Sequence, residues 1–408
     1  MTARFLTFGL LVPLAIGFAV LPLGCGREDE GASREAEQYF RLGQVLAQRL
    51  KYPEAIQAYA KAVALRPEAP ELHYNLGNAF AHCEAVPEAI EEYRRAIALE
   101  PGFVSAYYNL AAVLMRRKQA SEARPVLQKA LALSPDYAPA ANALGLIEFS
   151  QGRYAAAVDA YRRAVGADAA YAEAWFNLGE ARMRQVRYAE ARSAYERAVQ
   201  ADSSLAQAWD GLGFLYLKQQ RFADAVPVLQ RAVVLDSFHT RAHYNLGTAL
   251  LRLGESDRGR QALARHARLS AQDRQIDMTR DGILRHPEDA RLHYRLGVIY
   301  AQRQRYELAR LRYEQAIALD SGYVAAYHNL ANICLRDQRL EEAEALFRRA
   351  LAADSTYALA YNGLGTIGLL NRDHAAALAA YQRALQWDPG NAEFRRNLEV
   401  ARQLARAP

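Results

Sequence analysis

Tyr74-Asn75-Leu76-Gly77 is one of a set of near-copies that divide the chain into equal lengths. Its Leu-Gly or Leu-Ala core recurs at Leu42, Leu76, Leu110, Leu144, Leu178, Leu212 and Leu246, each 34 residues after the last, and resumes at Leu296, Leu330 and Leu364. A fixed period of this length marks a stack of small units rather than one closed core. With this leucine numbered position 7, ten repeats begin at Ala36, Pro70, Val104, Ala138, Ala172, Ala206, Thr240, Ala290, Val324 and Ala358.

Small and large residues alternate along each repeat in a way that fits two helices packed together. Position 8 is Gly or Ala throughout, position 20 is Ala except at Gly259, and position 27 is Ala except at His266. Position 24 is large, as at Tyr93, Tyr195 and Phe347. Small residues let helix axes approach to about 8–10 Å, and the large ones fill the space beside the crossing. Apolar residues three and four apart over positions 3–14 and 18–30 predict two helices. A polar turn such as Gln151-Gly152-Arg153 separates them, and Pro or an Asp-Ser pair such as Asp202-Ser203 ends the second.

This pattern closely resembles the tetratricopeptide repeat family, whose units carry an aromatic at position 4, Leu at 7, Gly or Ala at 8, Ala at 20 and 27, an aromatic at 24 and Pro at 32. The resemblance runs over residues 36–391 and implies an all-α solenoid, a right-handed superhelix of about ten helix-turn-helix repeats. It departs from the family at position 11, where Glu148, Arg182 and Gly368 stand, and at position 32, where Pro is present in four units. Residues 392–408 read as a polar capping helix with Phe394, Leu398, Ala401 and Leu404 on one face.

The N-terminus lies outside the array. Arg4 precedes an apolar run, Phe5 to Leu23, that meets Gly24-Cys25 and a charged stretch. Residues 1–24 therefore read as a secretory signal or an uncleaved anchor. Leu21-Pro22-Leu23-Gly24-Cys25 resembles the bacterial lipoprotein signal, which implies lipid attachment at Cys25, with the uncleaved anchor and ordinary cleavage as alternatives. Residues 25–35 are charged and poor in apolar side chains, so they read as a tether. A net charge of +6 spread over 408 residues does not call for nucleic acid.

The rhythm fails once, between Leu246 and Leu296, where 16 extra residues appear. Gly259 and His266 replace alanines there, so the second helix of repeat 7 is expected to pack differently. Leu269, Ile276 and Ile283 suit one overlong helix from about Glu255 to Arg285, or a second helix capped by Ser270. Two blocks follow from this reading: repeats 1–7 at 36–273 and repeats 8–10 at 290–391, joined by an irregular helical insertion at 274–289. Cys83 and Cys334 fall seven repeats apart, too far to pair in a solenoid, and read as packing residues.

No phosphate loop, metal motif or nucleophile elbow is present, so no enzyme, cofactor or metal is expected. His73, His243 and His293 all occupy position 4 and read as packing residues. What remains is the concave face that the family lines with its first helix. Asn75, Asn109, Asn177, Asn245 and Asn329 stand at position 6, while Tyr74, Tyr108 and Tyr244 stand at position 5. Arg116, Arg184, Lys218, Arg252 and Arg336 stand at position 13. Amides both donate and accept, so an asparagine row could pair with the peptide groups of an extended ligand, and the cations would select acidic side chains. The row is similar to the asparagine ladder of O-linked N-acetylglucosamine transferases, whose catalytic domain has no counterpart here. The family's chaperone-binding clamp is not formed, because Tyr74, Pro139 and Ala143 replace its polar residues. The expected protein is a non-enzymatic scaffold of the bacterial cell envelope that binds protein or peptide partners, acidic ones among them, and is membrane-tethered through its N-terminus. Its rivals are an assembly factor for an envelope complex and a substrate-recruiting subunit of a separate enzyme. Self-association is compatible with the sequence.

Overall fold

The structure, a computed structural model, describes residues 27–49 and 51–406. The apolar leader at 1–24 and Cys25 lie outside the described residues. Those described form twenty-one helices and no strand. Ten helix pairs come first, from α1 (Arg27–Gln48) and α2 (Tyr52–Leu65) to α19 (Ala358–Leu370) and α20 (His374–Trp387), and α21 (Ala392–Arg406) ends the series. The fold is thus the all-α repeat array that the 34-residue period implies. No helix among the described residues is long and apolar enough to cross a membrane.

Each pair is closed by the small-against-large pattern. In repeat 5, α9 (Ala172–Arg184) and α10 (Tyr188–Ala201) meet where Ala191 and Ala198 are fully buried. A Cβ placed on Gly179 would lie 2.5 Å from the Tyr195 ring, so position 8 is glycine because the ring of position 24 takes its space. Among the described residues, nine turns inside pairs place position 15 in the left-handed region, with Gly152 at φ 75 and Gly254 at φ 83. At the same position Val186, φ 62 and 65% exposed, is the β-branched exception.

Between later pairs, from Asp168 on, an aspartate makes most of the turns. The Asp168 carboxylate accepts from the Ala170 N–H at 2.9 Å, Asp202 from Ser204 at 2.8 Å and Asp236 from Phe238 at 2.9 Å. Position 4 adds a second fastening by donating to the carbonyl of position 32, six residues earlier. Trp175 Nε1 reaches Ala169 O at 2.9 Å and Trp209 Nε1 reaches Ser203 O at 3.0 Å. The position-4 histidines do the same: His73, His243 and His293 place Nε2 at 2.9, 3.0 and 3.0 Å from Pro67, Ser237 and Pro287 carbonyls. They are packing residues, as their register implies.

The described residues divide into two compact units, Met1–Leu263 and Ala264–Pro408 as the boundaries fall, and the division lies inside α14 (Ser256–Arg285). The single overlong helix expected from about Glu255 to Arg285 is present as α14, and its alternative, a second helix capped by Ser270, is not. Residues 28–35, charged and poor in apolar side chains, form part of α1. Residues 274–289 are not irregular: α14 runs unbroken to Arg285, and only His286–Asp289 form a turn. Ser270 caps nothing, since it sits mid-helix with its hydroxyl 3.5 Å from His266 Nε2 one turn back. The helix continues because Leu269 and Ile276 are buried, at 1% and 8% exposure, and Ile276 joins the core of the second unit with Leu296 and Tyr300. Gly259 also tightens repeat 7 rather than loosening it. A Cβ there would lie 2.8 Å from the Leu251 side chain and 3.1 Å from Gly247 O, so an alanine would require these neighbours to shift.

The cap α21 buries Phe394, Leu398 and Ala401, but Leu404 is 44% exposed. Cys334 is buried, and burial pushes its thiol up to about 11, which suits packing rather than redox work.

Candidate groove and its internal stitches

The first helices of successive repeats touch in the first unit: α3 (Pro70–His82), α5 (Val104–Arg116), α7 (Ala138–Ser150), α9, α11 (Ala206–Lys218) and α13 (Thr240–Arg252) form a continuous row. They therefore line its inner face, where positions 5, 6 and 13 were expected to meet a ligand.

The asparagines at position 6 turn instead toward the preceding repeat. Asn109 Nδ2 donates to Tyr74 Oη at 3.1 Å and to Asn78 Oδ1 at 2.8 Å. Asn177 Nδ2 donates to Asn142 Oδ1 at 2.9 Å, Asn245 Nδ2 to Asp210 Oδ1 at 2.8 Å, and Asn329 Nδ2 to Tyr294 Oη at 3.2 Å. The cap repeats the contact, with Asn397 Nδ2 2.9 Å from Asn362 Oδ1. Each of these asparagines bonds position 5 of the repeat before, and Asn109 also reaches position 9 there, Asn78. Asn75 follows the apolar Phe40, finds no such acceptor and bonds Glu71 O in its own helix at 2.7 Å. Asn75, Asn177 and Asn245 are buried, so the amide row acts mainly as an inter-repeat fastening.

Tyr74 and Tyr108 are likewise packed. The Tyr74 ring lies 4.8 Å from that of Phe103, and Tyr108, 7% exposed, meets Tyr137 edge-on at 5.8 Å. Tyr244 is 50% exposed.

The cations of position 13 stay at the surface. Arg116 donates to Ala81 O at 3.1 Å and pairs with Glu84 at 3.6 Å. Arg184 lies 5.9 Å from the Phe149 ring centre and Lys218 5.2 Å from that of Phe214. Arg252 is exposed, with no ion pair among the described residues. In the second unit Asn329, Asn332 and Arg336 share a pocket of about 380 Å³ with Tyr306 and Tyr313. There the Arg336 guanidinium stacks 3.3 Å from the Tyr306 ring centre and pairs with Asp337 at 2.6 Å.

Sequence reasoning missed a charge network across repeats 5–7. Arg241 donates through Nε to Asp210 and reaches Glu180 Oε2 at 3.3 Å, while Tyr195 Oη donates to Glu180 Oε1 at 2.7 Å. Asp210 is fully buried. Burial works against the charge on Arg241, but Asp210 and then Glu180 outweigh it and hold the guanidinium ionised more firmly than usual. The signal was a lone Asp at position 5 with Asn245 35 residues later.

Another pair responds to pH. His73 Nδ1 is 2.6 Å from Glu92 Oε2 and its Nε2 faces the Pro67 carbonyl, so only the imidazolium donates to both. The Glu92 bond raises the His73 pKa above 6.5, burial opposing it. The stabilisation is therefore fully present below the unfolded value of about 6.5 and is lost as pH rises through the higher folded value. Urea midpoints should accordingly fall between about pH 6 and about pH 9 in the wild type, and fall less in His73→Trp, whose indole repeats the Trp175 bond.

Among the described residues no three His, Cys, Asp or Glu side chains converge as a metal set. His239 Nδ1 accepts from Ala242 N at 3.2 Å and caps α13, while His243 serves its turn.

Tetratricopeptide repeat models match residues 142–206, 211–274 and 335–392, and also 103–170; a TPR repeat model matches 43–82, 84–118 and 297–338. Together they cover well over half of the chain. No curated protein matches it. Among solved structures, pilF of Pseudomonas aeruginosa is 20% identical, covering 52% of this chain and 96% of its own, with a TM-score of 0.47. MamA (41-end) from Desulfovibrio magneticus RS-1 is 24% identical, covering 42% of this chain and 97% of its own, at 0.39. A tetratricopeptide repeat protein from Parabacteroides merdae is 14% identical, covering 58% and 93%, at 0.48. None of these carries a functional argument for this chain.

Proposed function

The chain belongs to the tetratricopeptide repeat family, and from that premise we propose that it is a non-enzymatic scaffold whose first-helix groove holds an extended segment of a protein partner. The observation that supports this reading is the exposed cation-over-aromatic pairing of Arg184 with Phe149 and of Lys218 with Phe214, continued by Arg252. Such a surface offers apolar contact and positive charge together, and suits a segment in which acidic and apolar side chains alternate. Because the asparagine amides are engaged between repeats, this segment is selected by side chains more than by its peptide groups.

A photo-reactive residue placed at Phe214 or Tyr244 should form discrete adducts with partner protein in the cell, and one at Val234, 72% exposed on α12 (Phe222–Leu235), should not. Arg184→Glu with Lys218→Glu should abolish the groove adducts. Adducts at Val234 alone would place the partner on the outer surface and defeat the reading.

We further propose a tether to the bacterial cell envelope through a lipid on Cys25, supported by the Leu21–Cys25 stretch. A single acyl chain binds membranes only marginally, so stable retention needs the multiple chains of a lipidated cysteine. Cys25→Ala should release the protein from the membrane fraction and remove a lipid-sized mass. Unchanged mass and retention would eliminate Cys25 as the anchor.

A further inference from the structure

One face of α1 has no earlier repeat to rest on. In repeat 2, positions 3, 7 and 10 of the first helix are Leu72, Leu76 and Ala79, which are buried against Tyr59 and Ala62 of α2. In α1 the same positions are Gln38, Leu42 and Val45, and all three are exposed, Leu42 at 48% and Val45 at 44%. Arg34, Arg41 and Arg49 extend the line: residues 34, 38, 41, 42, 45 and 49 follow the spacing of one helix face, and all six are exposed. The Arg49 N–H donates to Val45 O at 3.1 Å, so the helical path runs on to it. The opposite face of α1 holds the core, with Ala36 buried and Gly43 so close to Tyr59 that a Cβ would lie 2.6 Å from the ring.

A solenoid end that faces water carries a polar surface. This one keeps Leu42 and Val45 among three guanidiniums, with no acid on the ridge itself. Glu35 and Glu37 flank it, and Glu37 pairs with Arg41 at 2.7 Å. Apolar side chains set among cations suit a helix lying in the interface of an anionic bilayer. A second copy brought to this face by a two-fold axis would instead set arginines against arginines. Position adds to composition. Cys25 stands two residues before Arg27, where α1 begins, and Leu42 stands fifteen residues beyond Arg27. That is roughly 22 Å of helix at 1.5 Å per residue. A lipid at one end and Leu42 with Val45 at the other are two attachments along one axis, and together they lay α1 flat on the surface.

We propose that this face of α1 rests on an anionic lipid surface, so that the first unit stands on the membrane by its N-terminal end. The inference rests on the Cys25 tether proposed above. The tether supplies the local concentration, so the few weak contacts of α1 need not hold the protein alone. Positions 3, 7 and 10 face along the stack, so each later repeat is added away from the bilayer and the groove leads outward from it.

The test uses the full chain purified from bacterial membranes, its lipid checked by mass, in vesicles of three parts phosphatidylcholine to one part phosphatidylglycerol. An environment-sensitive fluorescent amino acid is placed at Val45 or, as a control, at Val234. Flotation with the vesicles reports the tether, and fluorescence reports the face. Emission at Val45 should shift to the blue and be quenched by nitroxide-labelled lipid; Val234 should show neither. Quenching should be lost in the triple variant Arg34→Glu, Arg41→Glu and Arg49→Glu and in Leu42→Gln, while both still float. The substituted side chains are exposed, and unchanged helical circular dichroism would exclude misfolding. Quenching at Val45 that persists in the triple variant, or that is as strong in phosphatidylcholine alone, overturns the proposal. So does a blue shift without lipid quenching that grows with protein concentration, which would assign the face to a second copy. Protein that fails to float, or floats without a lipid mass, defeats the tether and this inference with it. Lipidated protein that floats with Val45 unquenched defeats this inference alone.

Discussion

Replacing Tyr195 by alanine is expected to lower the stability of the first unit by about 3–5 kcal/mol. The side chain is fully buried, and its ring lies between two glycines: a Cβ on Gly179 would be 2.5 Å from it and one on Gly211 2.7 Å. Both glycines belong to helices that approach because the ring fills the gap, so its removal opens a cavity that no neighbouring side chain can close. Tyr195→Phe keeps the ring and loses only the 2.7 Å bond to Glu180, an expected cost of about 1.5–3 kcal/mol because the acceptor is charged. Tyr195→Leu should fall between Phe and Ala, since Leu127 and Leu229 serve at position 24 elsewhere. Urea titrations of the three variants check the order. An alanine variant within about 1 kcal/mol of wild type would mean that repeats 5 and 6 are not held by this ring.

Asp210→Ala is the second large effect, about 2–4 kcal/mol. It strands Arg241 and leaves the Asn245 amide without its acceptor. Breaking a fully buried pair costs about 3–5 kcal/mol, and the lower range applies because Arg241 is 41% exposed and keeps Glu180. Asp210→Asn, which preserves shape and removes charge, should recover part of the loss in the same titration. A loss no greater than that of Glu100→Ala, an exposed acid with no ion pair among the described residues, would show that the network does not join repeats 5–7.

Much of this was legible in the residues and some was not. Positions 7, 8, 20, 24 and 27 specify helix pairs because backbone approach tolerates so few side chains, and the structure places alanine and glycine where the period puts them. The position-4 histidines were legible for the same reason: their register put them against the preceding repeat. The asparagines were ambiguous, because an amide has the same donors whether it meets a ligand or the repeat before. What resolves it is a pairing 35 residues apart: Asn109, Asn177, Asn245 and Asn329 each follow an acceptor at position 5, namely Tyr74, Asn142, Asp210 and Tyr294, whereas Asn75 follows Phe40. The Glu180–Arg241 contact, 61 residues apart, obeys no repeat interval and could not be read from periodicity. The helical start of α1 was hidden because charged, apolar-poor composition describes a solvated first turn as well as it describes a linker.

Every inter-repeat stitch from position 6 reaches back to position 5 or 9 of the repeat made just before it, and none waits for a repeat still to come. Translation delivers a chain from its N-terminus, so each new helix pair meets an acceptor row already in place. Assembly can then follow the order of synthesis, growing by addition at one end, with the closing cap α21 arriving last to occupy Asn362 through Asn397.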